Sequence, residues 1–240
     1  MKILGIDSSG LVATVALQSD DILVGEYTIH NQKTHSQTLL PMIQDMLKLA
    51  DVQVEELDAI AVASGPGSFT GLRIGAATAK GLGQALDIPL VAVSALEGLA
   101  YNLAGADALV CPMMDARRNQ TYYGIYDVSG DLPNVVVEQE VAPIETVFEK
   151  IHKIGKEIIF IGDGVPVFAG RLSEETGLRY RLGADSVRYQ RASSITALGR
   201  KYFELGKTIP AKQFAPTYLR QSQAERELQK KEKISTGTKG

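Results

Sequence analysis

The stretch of this chain best suited to binding chemistry is rich in glycine. It reads Ser-Gly-Pro-Gly-Ser-Phe-Thr-Gly-Leu-Arg over residues 64–73 and stands between a strand pattern and a helix pattern. Backbone N–H groups at such a junction can bind an anion. The stretch is not a P-loop, because Leu72 and Arg73 follow Gly71 where a P-loop has lysine and a hydroxyl residue. A tight turn whose glycines permit close packing is an equally good interpretation.

Side chains that could bind a metal ion or act as nucleophiles are few. The chain has three histidines, His30, His35 and His152, and no two of them have the i, i+4 spacing that places two imidazoles on one helical face. We therefore expect no bound metal. Ser64 lies outside a Gly-x-Ser-x-Gly elbow, and Cys111 stands in an apolar strand pattern without an evident histidine partner. Both are interpreted as structural.

The charge balance argues against nucleic-acid binding by the whole surface. The 240 residues include 25 Lys and Arg against 28 Asp and Glu, which gives a net charge of −3. The 45% hydrophobic content is typical of a globular protein with one large core or two modest lobes. No leader pattern is evident, and no apolar run approaches the roughly 20 residues that span a bilayer. We expect a cytoplasmic protein without membrane contact, whose role on RNA, if it has one, is shared.

The elements that position these residues fall into two similar halves. The first half predicts strands at 2–8, 12–18 and 21–29, a helix at 35–50, a strand at 58–64, a helix at 70–86, a strand at 90–93 and a helix at 95–104. The second half predicts strands at 108–114, 121–128 and 135–141, a helix at 144–154, a strand at 157–162 and a helix capped by Ser193 or Ser194.

Two βββα-type lobes in tandem predict an α/β protein of actin-like and Hsp70-like (ASKHA) architecture, with duplicated ribonuclease-H-type lobes. The predicted N-terminal lobe covers residues 1–104 and the C-terminal lobe residues 105–220. Residues 221–240 carry many charges without apolar periodicity, and they predict a flexible tail.

Actin-like ATPases bind phosphate with an acidic hairpin at the start of each lobe and adenosine with a glycine-rich turn in the second lobe. Weak counterparts are present in this chain at Asp7, Asp115, Gly162, Asp163 and Gly164. Each of these is also common turn chemistry, and a serine follows Ser8 where the ATPase hairpin normally has glycine. Residual nucleotide binding therefore stays open as an alternative.

Two helices of the first half have faces that suggest a close neighbour. In the second of them, small residues recur every fourth position at Gly71, Gly75, Ala79 and Gly83. Glycine inside a helix costs about 1 kcal/mol relative to alanine, so this seam implies close backbone packing, either on the chain's own sheet or, as we prefer, on another chain. The preceding helix has apolar residues on more than one face, namely Leu39, Leu40, Met42, Ile43, Met46, Leu47 and Leu49.

Several motifs together resemble the TsaB (YeaZ) family. They are the N-terminal strand meander, the glycine-rich run at residues 64–75, Asp-Ala-Arg-Arg at 115–118 and Pro-Thr-Tyr-Leu-Arg at 216–220. The resemblance extends from residue 2 to about residue 225, and the Gly-Pro-Gly-Ser-Phe-Thr-Gly-Leu-Arg run is specific to the family. It implies a non-catalytic subunit of the complex that adds threonylcarbamoyl to N6 of the adenosine beside the anticodon in tRNA.

The resemblance also implies partners. TsaD would carry the chemistry and any metal, TsaE would supply an ATPase, and the chain would form a homodimer in the absence of TsaD. The complex would use ATP and bind tRNA, while this subunit would hold no cofactor of its own. In catalytic relatives the helix matching residues 95–104 carries a His-x-x-x-His metal pair, and those two positions are Ala95 and Leu99 in this chain.

The family's dimerisation surface consists of the two N-terminal-lobe helices described above. Carried over to this sequence, the predicted partner interface comprises Leu39, Leu40, Ile43, Leu47, Gly71, Leu72, Gly75, Ala79 and Gly83. The alternative function is a self-sufficient actin-like ATPase or small-molecule kinase that uses Asp7, Asp115 and residues 162–164. A peptidase is not supported, because both a metal pair and a nucleophile elbow are missing from the sequence.

Overall fold

The structure is a computed structural model that describes residues 1–31 and 34–220. The tail predicted at residues 221–240 lies outside the described residues.

The first lobe is built on a mixed five-stranded sheet. Its strands are β1 (Lys2–Asp7), β2 (Ala13–Ser19), β3 (Ile22–Ile29), β4 (Ala59–Ala63) and β5 (Leu90–Val93), and their spatial order is β3-β2-β1-β4-β5. The first three strands form an antiparallel meander, and β4 and β5 then add in parallel beside β1. The helices of this half are α1 (His35–Leu49), α2 (Phe69–Ala85) and α3 (Ala95–Tyr101).

The second lobe repeats this sheet. Its strands are β6 (Leu109–Asp115), β7 (Gln120–Asp127), β8 (Asn134–Pro143), β9 (Ile158–Ile161) and β10 (Tyr180–Leu182), in the order β10-β9-β6-β7-β8. The pairing of β6 with β7 is antiparallel and that of β6 with β9 is parallel, as for β1 with β2 and β4. The helices are α4 (Ile144–Ile154), α5 (Gly164–Val167), α6 (Ala169–Glu174) and α7 (Ala192–Glu204). The repeat confirms the predicted duplicated architecture.

Three apolar clusters hold the layers together. Side chains alternate across β1, so that Leu4 and Ile6 pack with α1 while Ile3 faces the opposite cluster. That opposite cluster joins the lobes, because it contains residues of β5 and α3 together with Met114 and Tyr126 of the second sheet. A third cluster lies between the second sheet and α4 to α6. Both faces of β1, β2, β4 and β5 are therefore buried, as is typical of a sheet with parallel strands, whereas the edge strand β3 is exposed or half-buried.

The predicted elements are confirmed to within two residues at most boundaries, although α3 ends at Tyr101 rather than at residue 104. Three short elements, β10, α5 and α6, were absent from the prediction. In the described part of the chain, no helix has the length and apolar character needed to cross a membrane.

Helix α7 corrects the predicted lobe boundaries. The sequence places it in the second lobe, at residues 105–220, but its main contacts are with β1, β2 and β4 of the first sheet. Its N-cap is Arg191 rather than Ser193 or Ser194. A backbone N–H of its first turn is hydrogen-bonded by a side chain of β3, because the Glu26 carboxylate accepts the Ser193 N–H at 2.8 Å. The sequence misplaced α7 because the contacts that position it join residues far apart in the chain, and local sequence patterns do not report such contacts.

Candidate functional site

A cleft of about 520 Å³ opens between the two lobes. The first lobe contributes the turn after β1 and the N-terminus of α2, and the second contributes the β6–β7 turn and Asp163. The last described residues, including Tyr218 and Arg220, complete the wall. The duplicated fold therefore positions the two predicted hairpins and the glycine-rich segment around one cavity.

The glycine-rich segment is a tight turn in close contact with its surroundings. Gly65 and Gly67 have φ angles of 117° and 157°, which L side chains rarely adopt. A Cβ on Gly65 would lie 2.3 Å from the Thr217 carbonyl oxygen, and one on Gly67 would lie 2.3 Å from the Ser9 carbonyl oxygen. Ser68 then caps α2, since its Oγ accepts the Gly71 N–H at 3.2 Å. The packing interpretation is confirmed, and anion binding stays a prediction.

Only two of the five nucleotide-binding candidates line the cleft, Asp115 and Asp163. Asp7 is buried beside it, where its Oδ1 accepts the Ser9 N–H at 2.7 Å and burial raises its pKa to about 6. Gly162 and Gly164 pack on Met113, whose carbonyl oxygen would lie 2.1 Å from a Cβ at Gly162.

The two carboxylates in the cleft are already engaged within the protein. Asp115 accepts the Arg117 N–H at 2.7 Å and forms an ion pair with the Arg117 guanidinium at 3.1 Å. Asp163 accepts the Asp115 N–H at 3.1 Å, and burial raises its pKa to about 6. This arrangement stabilises the turn on which Arg117 and Arg118 lie. Nucleotide binding by the five candidates stays a prediction.

The C-terminal segment, defined as residues 211–220, connects the lobes across the cleft. The Lys80 ammonium donates to the Phe214 carbonyl at 2.9 Å, and the Thr217 N–H donates to the Ser64 carbonyl at 2.7 Å. At the far side, the Arg220 guanidinium donates to the Ala116 carbonyl at 2.5 Å. In the sequence, residues 216–220 stand out only through the family resemblance, because their contacts are with residues far away in the chain.

Helix α3 holds Ala95 and Leu99 in the core shared by the lobes, and both are buried. Neither side chain has an atom that could bind a metal ion. Glu97, between them, accepts the Tyr202 hydroxyl at 3.2 Å, and burial raises its pKa. Within residues 1–31 and 34–220, no three His, Cys, Asp or Glu side chains are grouped so that they could hold a metal ion.

The structure corrects the predicted role of the small-residue seam on α2. A Cβ on Gly71 would lie 2.0 Å from the Ser8 carbonyl oxygen, and one on Gly75 would lie 2.6 Å from the Ser8 Oγ. Ala79 is fully buried, and Gly83 packs against residues of β5 and the C-terminal segment. Of the two neighbours that the sequence allowed, the seam therefore packs on its own chain. Leucine at position 75 or 79 would therefore disturb the fold of the monomer itself, so these positions cannot test pairing with another chain.

The apolar residues of α1 fall into a buried group and an exposed group. Leu39, Ile43 and Leu47 are buried in the first-lobe core, as is Leu72 of α2. Leu40 is the one predicted interface residue with an exposed side chain, at 45%, and Leu49 nearby is 77% exposed. The buried members of the predicted interface are thus core residues, while the use of these two helices as an interface stays a prediction.

Comparison with known proteins places these features in a family. The family model described as tRNA N6-adenosine threonylcarbamoyltransferase (TsaD) matches residues 24–228. The chain is 33% identical over 225 residues to the Bacillus subtilis protein named tRNA threonylcarbamoyladenosine biosynthesis protein TsaB, covering 94% of this chain and 96% of the relative. The Escherichia coli protein of the same name is 31% identical over 237 residues, covering 97% and 100%.

The solved structure of YeaZ from Pseudomonas aeruginosa agrees with this match. It superposes with a TM-score of 0.76 at 28% identity, over 91% of this chain and 99% of that one. The relatives and the duplicated two-lobe fold thus agree with the motifs of the glycine-rich turn and the C-terminal segment. The chain belongs to the TsaB (YeaZ) family, whose members are named for tRNA threonylcarbamoyladenosine biosynthesis.

Proposed function

We propose that this protein is a non-catalytic subunit of the complex that adds threonylcarbamoyl to N6 of the adenosine beside the anticodon in tRNA. The observation that carries the proposal is α3, where Ala95 and Leu99 are buried apolar residues. The family resemblance implies that these two positions hold a metal pair in catalytic relatives. The fold supports a binding role, because the carboxylates of the cleft are engaged in the protein's own turns. The chemistry then belongs to the partner TsaD.

The proposed pairing surface is the outward side of α1 and α2. Opposite the buried seam, α2 exposes a second series of small residues, Ala77, Gly81 and Ala85, at four-residue spacing. Helix α1 packs beside α2 and exposes Leu40 and Leu49. Small residues let a partner helix approach closely, and the two leucines add apolar area. The same surface would form a homodimer when TsaD is absent.

The rest of the complex follows from the family resemblance. TsaE is the proposed ATPase, ATP is used by the complex, and tRNA is bound by the assembly in the cytoplasm.

The alternative, an actin-like ATPase or kinase that works alone, predicts ATP hydrolysis by the isolated chain. We expect no turnover above background. Turnover that is lost in Asp115→Asn would contradict the proposal, because Asp115 is the cleft carboxylate at the hairpin of the second lobe.

The pairing surface is tested with Gly81→Leu. A Cβ at Gly81 meets no atom within 4 Å, so the monomer should fold normally while the leucine blocks a partner helix. We expect the variant to elute separately from TsaD in size-exclusion chromatography with light scattering, whereas the wild-type chain forms a heterodimer.

Gly170→Leu is the matched control. Gly170 is also an exposed helical glycine, in α6, with no atom within 4 Å of an added Cβ. It should retain the heterodimer, and both variants should melt at the wild-type temperature by circular dichroism. Heterodimer formation by Gly81→Leu at wild-type strength would contradict the proposed surface.

A further inference from the structure

The mouth of the cleft is positively charged, although the whole chain has a net charge of −3. The charged residues that line the cleft are three arginines, Arg117, Arg118 and Arg220, and two aspartates, Asp115 and Asp163. Arg117 is paired with Asp115, and Asp163 is buried. The exposed Arg117 and Arg118 and the guanidinium of Arg220 are therefore the positive charges that an incoming ligand would meet, and Asp115 offsets the charge of Arg117.

The backbone that presents these arginines is unusual. Arg117, Arg118 and Asn119 follow one another with φ angles of 62°, 55° and 57°, in the left-handed region that glycine and asparagine tolerate best. Two backbone hydrogen bonds close the turn, because the Ala116 N–H donates to the Gln120 carbonyl at 3.0 Å and the Gln120 N–H donates to the Arg117 carbonyl at 3.2 Å. Arginine is not required for this geometry, and the Arg117 side chain is 79% exposed. Because Arg117 is paired with Asp115 within this turn, it is the exposed Arg118, at an equally strained position, that indicates a role outside folding.

Two aromatic rings line the same cleft as these arginines. The ring centroids of Phe69 and Tyr218 are 4.7 Å apart with an angle of 36° between the planes. The Arg73 guanidinium lies 4.0 Å from the centroid of Phe69. Tyr218 is 40% exposed, so part of its ring is accessible at the mouth of the cleft. Cations beside exposed aromatic rings are the combination that binds single-stranded nucleic acid, where phosphates meet the charges and bases stack on the rings.

We infer that the cleft rim, defined as Phe69, Arg118, Tyr218 and Arg220, binds an unpaired stretch of RNA directly. Arg118 and Arg220 contact phosphates, and the exposed face of Tyr218 stacks on a base. That this RNA is the tRNA of the complex rests on the proposed function. The small number of cations and the negative net charge imply weak binding by this chain alone, so the rim adds to the RNA contacts of the assembled complex.

The test measures fluorescence anisotropy of a labelled anticodon stem-loop RNA with the full-length chain in complex with TsaD, at several salt concentrations. Arg118→Ala should weaken binding several-fold and reduce the slope of log K against log salt by about 0.7, the value for one phosphate contact on a single strand. Tyr218→Ala should weaken binding without changing the slope, because stacking releases no counterions. Arg200→Ala is the control, since Arg200 does not line the cleft. It should leave both the affinity and the slope unchanged.

The outcomes separate this inference from the proposed function. Wild-type RNA affinity in both Arg118→Ala and Tyr218→Ala, with an intact complex, would overturn RNA binding at the rim and leave the pairing proposal standing. If no complex with TsaD forms, the pairing proposal fails, and the same variants are then compared in the isolated full-length chain, where the rim should still account for the binding. Equal affinity for a fully paired RNA of the same length would also overturn the inference, because the rim requires unstacked bases.

Discussion

At the scale of single residues, the buried polar groups around the cleft form hydrogen bonds that stabilise the fold. Asp7 and Asp163 were predicted as weak counterparts of the acidic hairpin and the glycine-rich turn of an actin-like ATPase. In the structure each accepts a backbone N–H of its own chain. Ser8 supports α2 in a similar way, because its Oγ donates to the Gly71 carbonyl at 2.9 Å. These contacts explain why the residue types of a nucleotide cleft can persist in a subunit proposed to have no catalytic role.

Asp7 gives the first prediction at this scale. Its pKa is raised from 3.8 to about 6 in the folded protein, mainly by burial. Between about pH 4 and pH 6 the folded state therefore holds the proton more tightly than the unfolded chain, and raising the pH removes stability. The loss is of the order of 3 kcal/mol and is complete above about pH 6.

Asp7→Asn should remove this contribution while its amide oxygen still accepts the Ser9 N–H. Urea denaturation at several pH values should show that the stability difference between the variant and wild type grows in favour of the variant from pH 4 to pH 6. Asp163 has a similarly raised pKa in both proteins and cancels in the comparison. A difference that does not vary with pH would show that Asp7 titrates normally.

At the scale of elements, the position of α7 depends on one side chain of the opposite edge strand. The Glu26 carboxylate accepts the backbone N–H and the hydroxyl of Ser193, at 2.8 and 2.7 Å, and pairs with Arg191 at 2.5 Å. It thus satisfies the first turn of α7 from a strand more than 160 residues earlier in the chain. This contact joins β3 to a helix that also packs on β1, β2 and β4.

Glu26→Ala should therefore destabilise the protein by about 2 kcal/mol, because it removes an N-terminal cap and leaves Arg191 without its partner. Glu204→Ala is the control, since Glu204 forms an exposed pair with Arg200 within α7 and should change stability by less than about 0.5 kcal/mol. Chemical denaturation of both variants measures the two effects. Equal effects would show that α7 does not depend on Glu26.

At the scale of the whole molecule, the two lobes share one core. The cluster between them contains Val93 and Leu96 from the first half, Met114 and Tyr126 from the second sheet, and Ile195 of α7. The C-terminal segment adds hydrogen bonds on both sides of the cleft. Separating the lobes would expose this apolar surface to water, which opposes independent unfolding.

We therefore expect the lobes to unfold together. Differential scanning calorimetry should show a single transition with a van't Hoff enthalpy close to the calorimetric enthalpy. Leu96→Ala, which removes a fully buried side chain from the shared core, should lower stability by about 2 to 5 kcal/mol and keep the transition single. Two resolved transitions in the wild-type protein would contradict a common core.

The sequence by itself determined the longer strands and helices of both halves, the duplicated architecture and the family, whereas it missed the short elements β10, α5 and α6. Periodicity and turn residues are local, so they identify an element without any knowledge of its neighbours. The absence of histidine at positions 95 and 99 could likewise be read from the residues alone.

Only the tertiary structure decided which neighbour each face meets. The seam of small residues on α2 indicated close packing, but a seam is compatible with the chain's own backbone or with a second chain, and the contact with Ser8 settles it. The placement of α7 on the first sheet and the meeting of Tyr218 with Phe69 likewise depend on contacts between residues far apart in the chain. Such contacts depend on which distant segments the tertiary fold brings together, and the residue pattern within one element does not encode this.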